Sequence, residues 1–189
     1  MKRHTLVDDV DDLIEFRIRR SKPILRTHAD KVIEWVPTAL AGAAAVHASN
    51  GTSEFGKRAI QGLLALGLQK GVVHLVKHTT NHVRPNPFDK HNSFPSGHTA
   101  TAFMGAALLQ AQLQKKDKAW ASVGYAIAVG TGLLRLYQNR HWLSDVVLGA
   151  GVGVLAVAAS RKLMQLASSR RISRSQTSTA SRRIDGIEQ

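Results

Sequence analysis

Five long apolar runs, none of them alternating with a period of two, limit what this chain can fold into. They are Val36 to Ala48, Ala59 to Val76, Thr99 to Gln114, Ala119 to Leu134 and Val146 to Ser160. Each is long for a strand and lacks the alternation of a half-buried one, so each is read as a helix. The charge sits mostly elsewhere. Residues 1–34 carry eight Lys or Arg and seven Asp or Glu, and residues 161–189 carry seven and two. The middle, 35–160, carries eleven and four, most of them between apolar runs. The expected fold class is therefore all-α, a transmembrane bundle of about five to six helices. A full span takes about 20 apolar residues, and most runs reach that only with their flanks. A soluble bundle with an Ala-rich core is the competing reading.

A chain of 189 residues fits one domain. We divide it into a polar, amphipathic segment over 1–34, a helical domain over 35–162 and a basic, Ser/Arg-rich tail over 163–189. The tail, from Ser168 to Arg183, is expected to be disordered because it holds few apolar residues. Cysteine is absent, which excludes a disulfide framework, a thiolate metal site and a thiol nucleophile. The opening residues mix charges and hold no apolar core, so no cleavable signal is expected. Gly149 and Gly153, four apart on the last run, suit close helix–helix approach in lipid. The same stretch does not fit a nucleotide-binding glycine loop.

Lys70, His74 and Lys77 share one helix face. We assign Lys70 and His74 to a wet groove or to snorkelling, and Lys77 to the chemistry. Three polar clusters carry that chemistry. The first runs from Lys77 to Arg84 and Pro85, the second is Pro95-Ser96-Gly97-His98, and the third runs from Arg135 through His141 to Asp145. Together they offer three cations, two imidazoles and a carboxylate. Ser96 and Gly97 stand directly before a helix, whose N-terminus favours an anion. Arg grips phosphate through a planar fork and Lys as a point charge. His141 and Asp145, at i and i+4, share a helix face, so the carboxylate can orient the imidazole. An imidazole so oriented can attack phosphorus, and His98 can then protonate the leaving oxygen.

These clusters resemble the three signature motifs of the type 2 phosphatidic acid phosphatase superfamily, KxxxxxxRP, PSGH and SRxxxxxHxxxD. The resemblance covers about Lys57 to Ser160. It departs at Leu134, where the family pattern has Ser. It implies that His141 is the nucleophile and forms a phosphohistidine, that Asp145 orients it and that His98 is the general acid. It further implies that Lys77, Arg84, Arg135, Ser96 and Gly97 hold the phosphate, with no metal and no cofactor. The implied substrate is a membrane lipid phosphate: phosphatidic acid, phosphatidylglycerol phosphate, an isoprenyl diphosphate or a lipid A phosphate.

Other residues are read more plainly. His74, His78, His82 and His91 are taken as structural, and Arg140 as a solvated loop charge. Trp120 and Trp142 suit either a membrane boundary or core packing. The three clusters fall on one face of the bundle. Lys57, Arg58, Lys115, Lys116, Lys118, Arg161 and Lys162 fall on the other, which the positive-inside rule makes cytoplasmic. The site is then expected to open on the outer, periplasmic face. The basic segment 1–34 conflicts with this unless it lies along the surface as a helix or the run 36–48 does not cross. Two competing functions are a vanadate-binding, haloperoxidase-like protein and a binder of anionic surfaces or nucleic acid driven by the +13 charge. We expect the bilayer and a lipid substrate as partners, and no nucleic acid, because no nucleic-acid motif is present.

Overall fold

The computed structural model of the chain describes residues 6–20, 30–80, 82–86, 92–113 and 117–185. All regular structure among them is helical, as expected. The order is α1 (Leu6–Arg20), α2 (Asp30–Ile33), α3 (Val36–His47), α4 (Thr52–Thr79), α5 (Gly97–Gln112), α6 (Lys118–Tyr137) and α7 (Leu143–Asp185). The five apolar runs supply α3 to α7, and the polar N-terminal segment supplies α1 and α2. Asp89, Lys90 and His91, and the turn residues Lys115 and Lys116, lie outside the described residues.

Helix α5 is the axis of the bundle. Eleven of its 16 residues are buried, so it is covered all round, which explains why it has no polar face. Helices α3, α6 and α7 pack along it, and α4 packs on α7. The seams depend on glycine. A Cβ on Gly149 would stand 2.6 Å from the Ser96 carbonyl oxygen, and one on Gly153 would stand 2.4 Å from that of Ala100. The close approach expected of these two residues is present between α7 and α5. Gly105 gives α3 the same access: its Cβ would stand 2.5 Å from the Thr38 amide nitrogen.

Three helical stretches, Thr52–Thr79, Ala119–Tyr137 and Leu143–Arg170, are long and apolar enough to cross a bilayer. They expose large apolar side chains, among them Ile60, Leu63, Leu75, Leu133 and Leu155. Such a surface is a liability in water and suits acyl chains. We read these helices as membrane spans. Helix α3, with 12 residues, covers only about 18 Å. It runs beside α5 from the end where Glu34 meets His98 to the end where Arg58 bridges the two helices. There the Arg58 guanidinium donates to the Gln112 side-chain oxygen at 2.5 Å and to the Ala48 carbonyl at 3.5 Å. A cation at two helix C-termini offsets their partial negative charge.

The two chain ends differ in how they meet expectation. Helix α1 covers the surface helix expected within the N-terminal segment. Its Asp11 is buried and accepts from the Ser144 amide at 3.2 Å and the Ser144 hydroxyl at 2.6 Å. This docks α1 against the first turn of α7, with Leu6, Val7, Leu13 and Phe16 left exposed. Where a disordered tail is expected over 168–183, α7 runs on as helix to Asp185. From Val154 to Asp185 the sequence holds neither Gly nor Pro, so nothing local breaks the helix.

Candidate active site

Four helix ends meet at one end of the bundle: the last turns of α4 and α6 and the first turns of α5 and α7. Lys77 lies in the last turn of α4, and Arg84 and Pro85 follow it in the connecting loop. Ser96 caps α5, and Arg135 lies in the last turn of α6. Helix α6 stops in a left-handed cap at Asn139, with φ of 52°. The Asn139 amide donates to the Leu136 carbonyl at 2.9 Å and the Arg140 amide to that of Arg135 at 3.1 Å, the paired bonds of a Schellman motif. This turn delivers His141 to the site two residues before α7 begins.

His141 and Asp145 pair, but not on one helix face as the spacing predicts. His141 precedes α7, while Asp145 lies in its first turn. The Asp145 carboxylate accepts from the Trp142 amide at 2.9 Å, as the acidic member of a capping box does. The same oxygen lies 3.2 Å from His141 Nδ1 and also accepts from the Ser93 hydroxyl. His141 is 3% exposed and Asp145 fully buried, so the carboxylate has a dry, multiply bonded seat. Burial pushes the His141 imidazole below its usual pKa. The bond and charge of Asp145 pull the other way, and Arg135 and Arg84 add to the lowering. The imidazole is therefore neutral at neutral pH, with a lone pair on the nitrogen that Asp145 does not hold.

The cations expected to hold phosphate converge here. Lys77 lies within the electrostatic reach of Arg84, Arg135 and Asp145. Its ammonium donates to the carbonyls of Asn92 and Ser93 at 3.0 and 3.5 Å. Arg135 is 3% exposed and donates to the Gln138 side chain at 3.2 Å. Gly97 opens α5, and the Ser96 amide donates to the Asp145 carbonyl at 3.0 Å, locking the starts of α5 and α7 together. The Ser96 hydroxyl is engaged within α5, 2.8 Å from the Thr99 hydroxyl and accepting from the Thr99 amide. His98, on the first turn of α5, has a partly exposed side chain, with Nδ1 4.0 Å from the Glu34 carboxylate.

Two residues at the site escaped the reading of spacing. Ser93 is fully buried against Asp145. His82, taken as structural, places Nδ1 3.5 Å from the second Asp145 oxygen and packs edge-on against Phe94 and Trp142. His82 lies inside the first cluster and Ser93 two residues before the second, the only signal that the sequence held for them. The Trp142 indole donates to the Val83 carbonyl at 2.8 Å, tying the first cluster to the third. His74 packs on His78 instead of entering the site. Lys70 donates to the Thr101 hydroxyl at 3.2 Å and lies over the Trp35 ring.

Known proteins resemble this chain in sequence and in fold. A lipid A 1-phosphatase of Porphyromonas gingivalis is 38% identical over 104 residues, 55% of this chain and 23% of that protein. A lipid A 1-phosphatase of Helicobacter pylori is 29% identical over 94 residues, 46% of this chain and 48% of that protein. The match thus spans about a quarter of the first relative and half of the second. Among solved structures, LpxE of Aquifex aeolicus aligns with a TM-score of 0.61 and 22% identity, over 86% of this chain and 98% of that one. A transmembrane PAP2-type phosphatidylglycerolphosphate phosphatase from Bacillus subtilis aligns with a TM-score of 0.62 and 21% identity, over 86% and 88%. These two establish the fold and agree with an integral membrane protein. The profile of the PAP2 superfamily matches residues 58–168, more than half of the chain and all three clusters, and the protein belongs to that superfamily.

Proposed function

We propose that this protein hydrolyses a phosphate ester of a membrane lipid through a phosphohistidine on His141. The observation that carries the reading is the buried His141–Asp145 pair set among Lys77, Arg84 and Arg135. Three cations so close repel one another, and a phosphate dianion relieves that repulsion. With Nδ1 turned to Asp145, Nε2 of His141 attacks phosphorus. The phosphorus–oxygen ester bond breaks, and protonated His98 gives its proton to the leaving oxygen. Neutral His98 then takes a proton from water as that water attacks the phosphohistidine. The phosphorus–nitrogen bond breaks, and inorganic phosphate leaves. The cations, with the start of α5, stabilise the charge on the phosphoryl oxygens.

Lipid A bearing a 1-phosphate is the first candidate substrate, since both curated relatives carry that name. Phosphatidic acid, phosphatidylglycerol phosphate and isoprenyl diphosphate complete the set. Phosphate release by the chain in detergent, with EDTA present, tests the reading across these lipids and one water-soluble ester. Release from a lipid in the presence of EDTA is the expected result. Folded protein that binds vanadate yet releases no phosphate from any of them would replace the reading with an oxyanion-binding one.

The site is proposed to face outward. Lys57 and Arg58 lie near the start of α4 and Arg161 and Lys162 midway along α7, several turns from the site, and basic residues favour the cytoplasm. A reporter enzyme fused after Gln189 is expected to be active only in the cytoplasm. A fusion active only outside would invert the orientation.

A further inference from the structure

Each of the two imidazoles at the site has a carboxylate on its Nδ1 side. Asp145 lies 3.2 Å from Nδ1 of His141, and Glu34 lies 4.0 Å from Nδ1 of His98. Glu34 stands outside the stretch that matches the family, which begins at residue 58, and outside all three clusters. It sits in the turn between α2 and α3 and is only 9% exposed. A carboxylate withdrawn that far from water needs a positive partner. It is delivered there by packing: Pro37 and Thr38 press on Gly105 of α5, two turns beyond His98. Glu34 therefore reaches the start of α5 only because α3 lies directly against it.

We propose that Glu34 is a positioning residue that holds His98 in its protonated form, ready to donate to the leaving oxygen. The inference rests on the phosphatase reading above. The distance of 4.0 Å is that of an ion pair, not of a tight hydrogen bond, so the effect is on charge. The two carboxylates then serve opposite ends. Asp145 orients an imidazole that burial keeps neutral, and Glu34 stabilises one that must carry a proton. On the elements packed against α5, the described ionisable side chains toward its start are Lys31 of α2, Lys70, His74, Lys77 and His78 of α4, Arg135 of α6, and His141 and Asp145 beside α7, with Arg84 in the loop. Glu54, Lys57 and Arg58 belong to the first turns of α4, toward the other end of the bundle. Near His98 the cations and imidazoles thus outnumber the acids, and Asp145 is committed to His141, so Glu34 is the acid that offsets them at His98.

The test compares wild type, Glu34→Gln and Glu34→Asp as full chains in detergent. The acid limb of kcat/KM, set by His141 below the usual imidazole range, should stay in place. The alkaline limb should move down by roughly half to one pH unit in Glu34→Gln. Glu34→Asp should restore it in part. At pH 8 the glutamine variant should lose about three- to ten-fold on the best lipid phosphate, and less than about two-fold on p-nitrophenyl phosphate, whose leaving group departs without a proton. A proton NMR titration of His98, assigned with His98→Gln, should show the same downward shift without reference to turnover. Unchanged limbs and an unchanged titration would overturn the proposal, as would equal losses on both substrates, which mark a structural role. A shifted titration in a chain that hydrolyses nothing would keep the Glu34–His98 pair and remove the phosphatase reading instead.

Discussion

Replacing His141 by alanine is expected to lower phosphate release by a factor on the order of 10⁴ or more on every substrate that the wild type turns over. The reason is that no other group at the site can take its place. The cations proposed to hold the phosphate carry no lone pair to attack it. His98 is taken up by its proposed role as proton donor, and His82 lies against the opposite oxygen of Asp145. The variant should still fold, because Asp145 keeps its bonds from the Trp142 amide and the Ser93 hydroxyl. Thermal unfolding in detergent separates loss of chemistry from loss of fold. Asp145→Asn should cost on the order of 10³ to 10⁴, since the amide can hold the ring but cannot stabilise its positive charge. Wild type quenched in mid-turnover should carry an acid-labile, alkali-stable phosphate that His141→Ala lacks. More than about 1% residual activity in a folded His141→Ala would end its assignment as nucleophile.

Gly153→Ala is expected to be the most damaging small change in the bundle. The added methyl would lie 2.4 Å from the Ala100 carbonyl oxygen and 2.7 Å from the Met104 amide nitrogen. Both are backbone atoms of the most buried helix, so no side chain can swing aside. Helices α7 and α5 must separate, at a cost of about 1–3 kcal/mol. That corresponds to a fall in Tm of roughly 2–12 °C for a chain of this size. The damage should reach the site as well, because the bond from the Ser96 amide to the Asp145 carbonyl crosses the same seam. Gly151→Ala is the control. It lies on the same helix, two residues away, with no atom near its Cβ, and alanine is the better helix former. It should leave Tm unchanged or raise it slightly. Equal Tm values for the two variants would mean that the seam does not depend on Gly153.

The comparison of these two glycines also shows how far sequence reaches. Spacing singles out Gly149 and Gly153 because helical periodicity is local, and four residues bring two side chains to one face. It cannot say that Gly151 faces open space, since that depends on where α5 lies. The same division runs through the site. Lys77, Arg84, His98, Arg135, His141 and Asp145 fall into clusters at helix ends, and those ends are visible wherever an apolar run stops. The pairing of His141 with Asp145 follows from four residues of separation, whether the segment between them is helix or, as here, a capping turn.

Contacts made across the chain were not legible in this way. Ser93 and His82 reach Asp145 from 52 and 63 residues away, with only their place in or beside a cluster to mark them. Glu34 meets His98 because Gly105 lets α3 lie close to α5, and Ser96 turns its hydroxyl to Thr99 because it must cap a helix. The helical course of α7 through 168–183 is a different case. There composition pointed to disorder, while the lack of any Gly or Pro between Gly153 and Gly186 allowed the helix to continue to Asp185. Periodicity and spacing describe what a segment can do within a few turns of itself. Which carboxylate meets which imidazole depends on how closely two helices can approach, and that is settled by backbone contacts between segments remote in the chain.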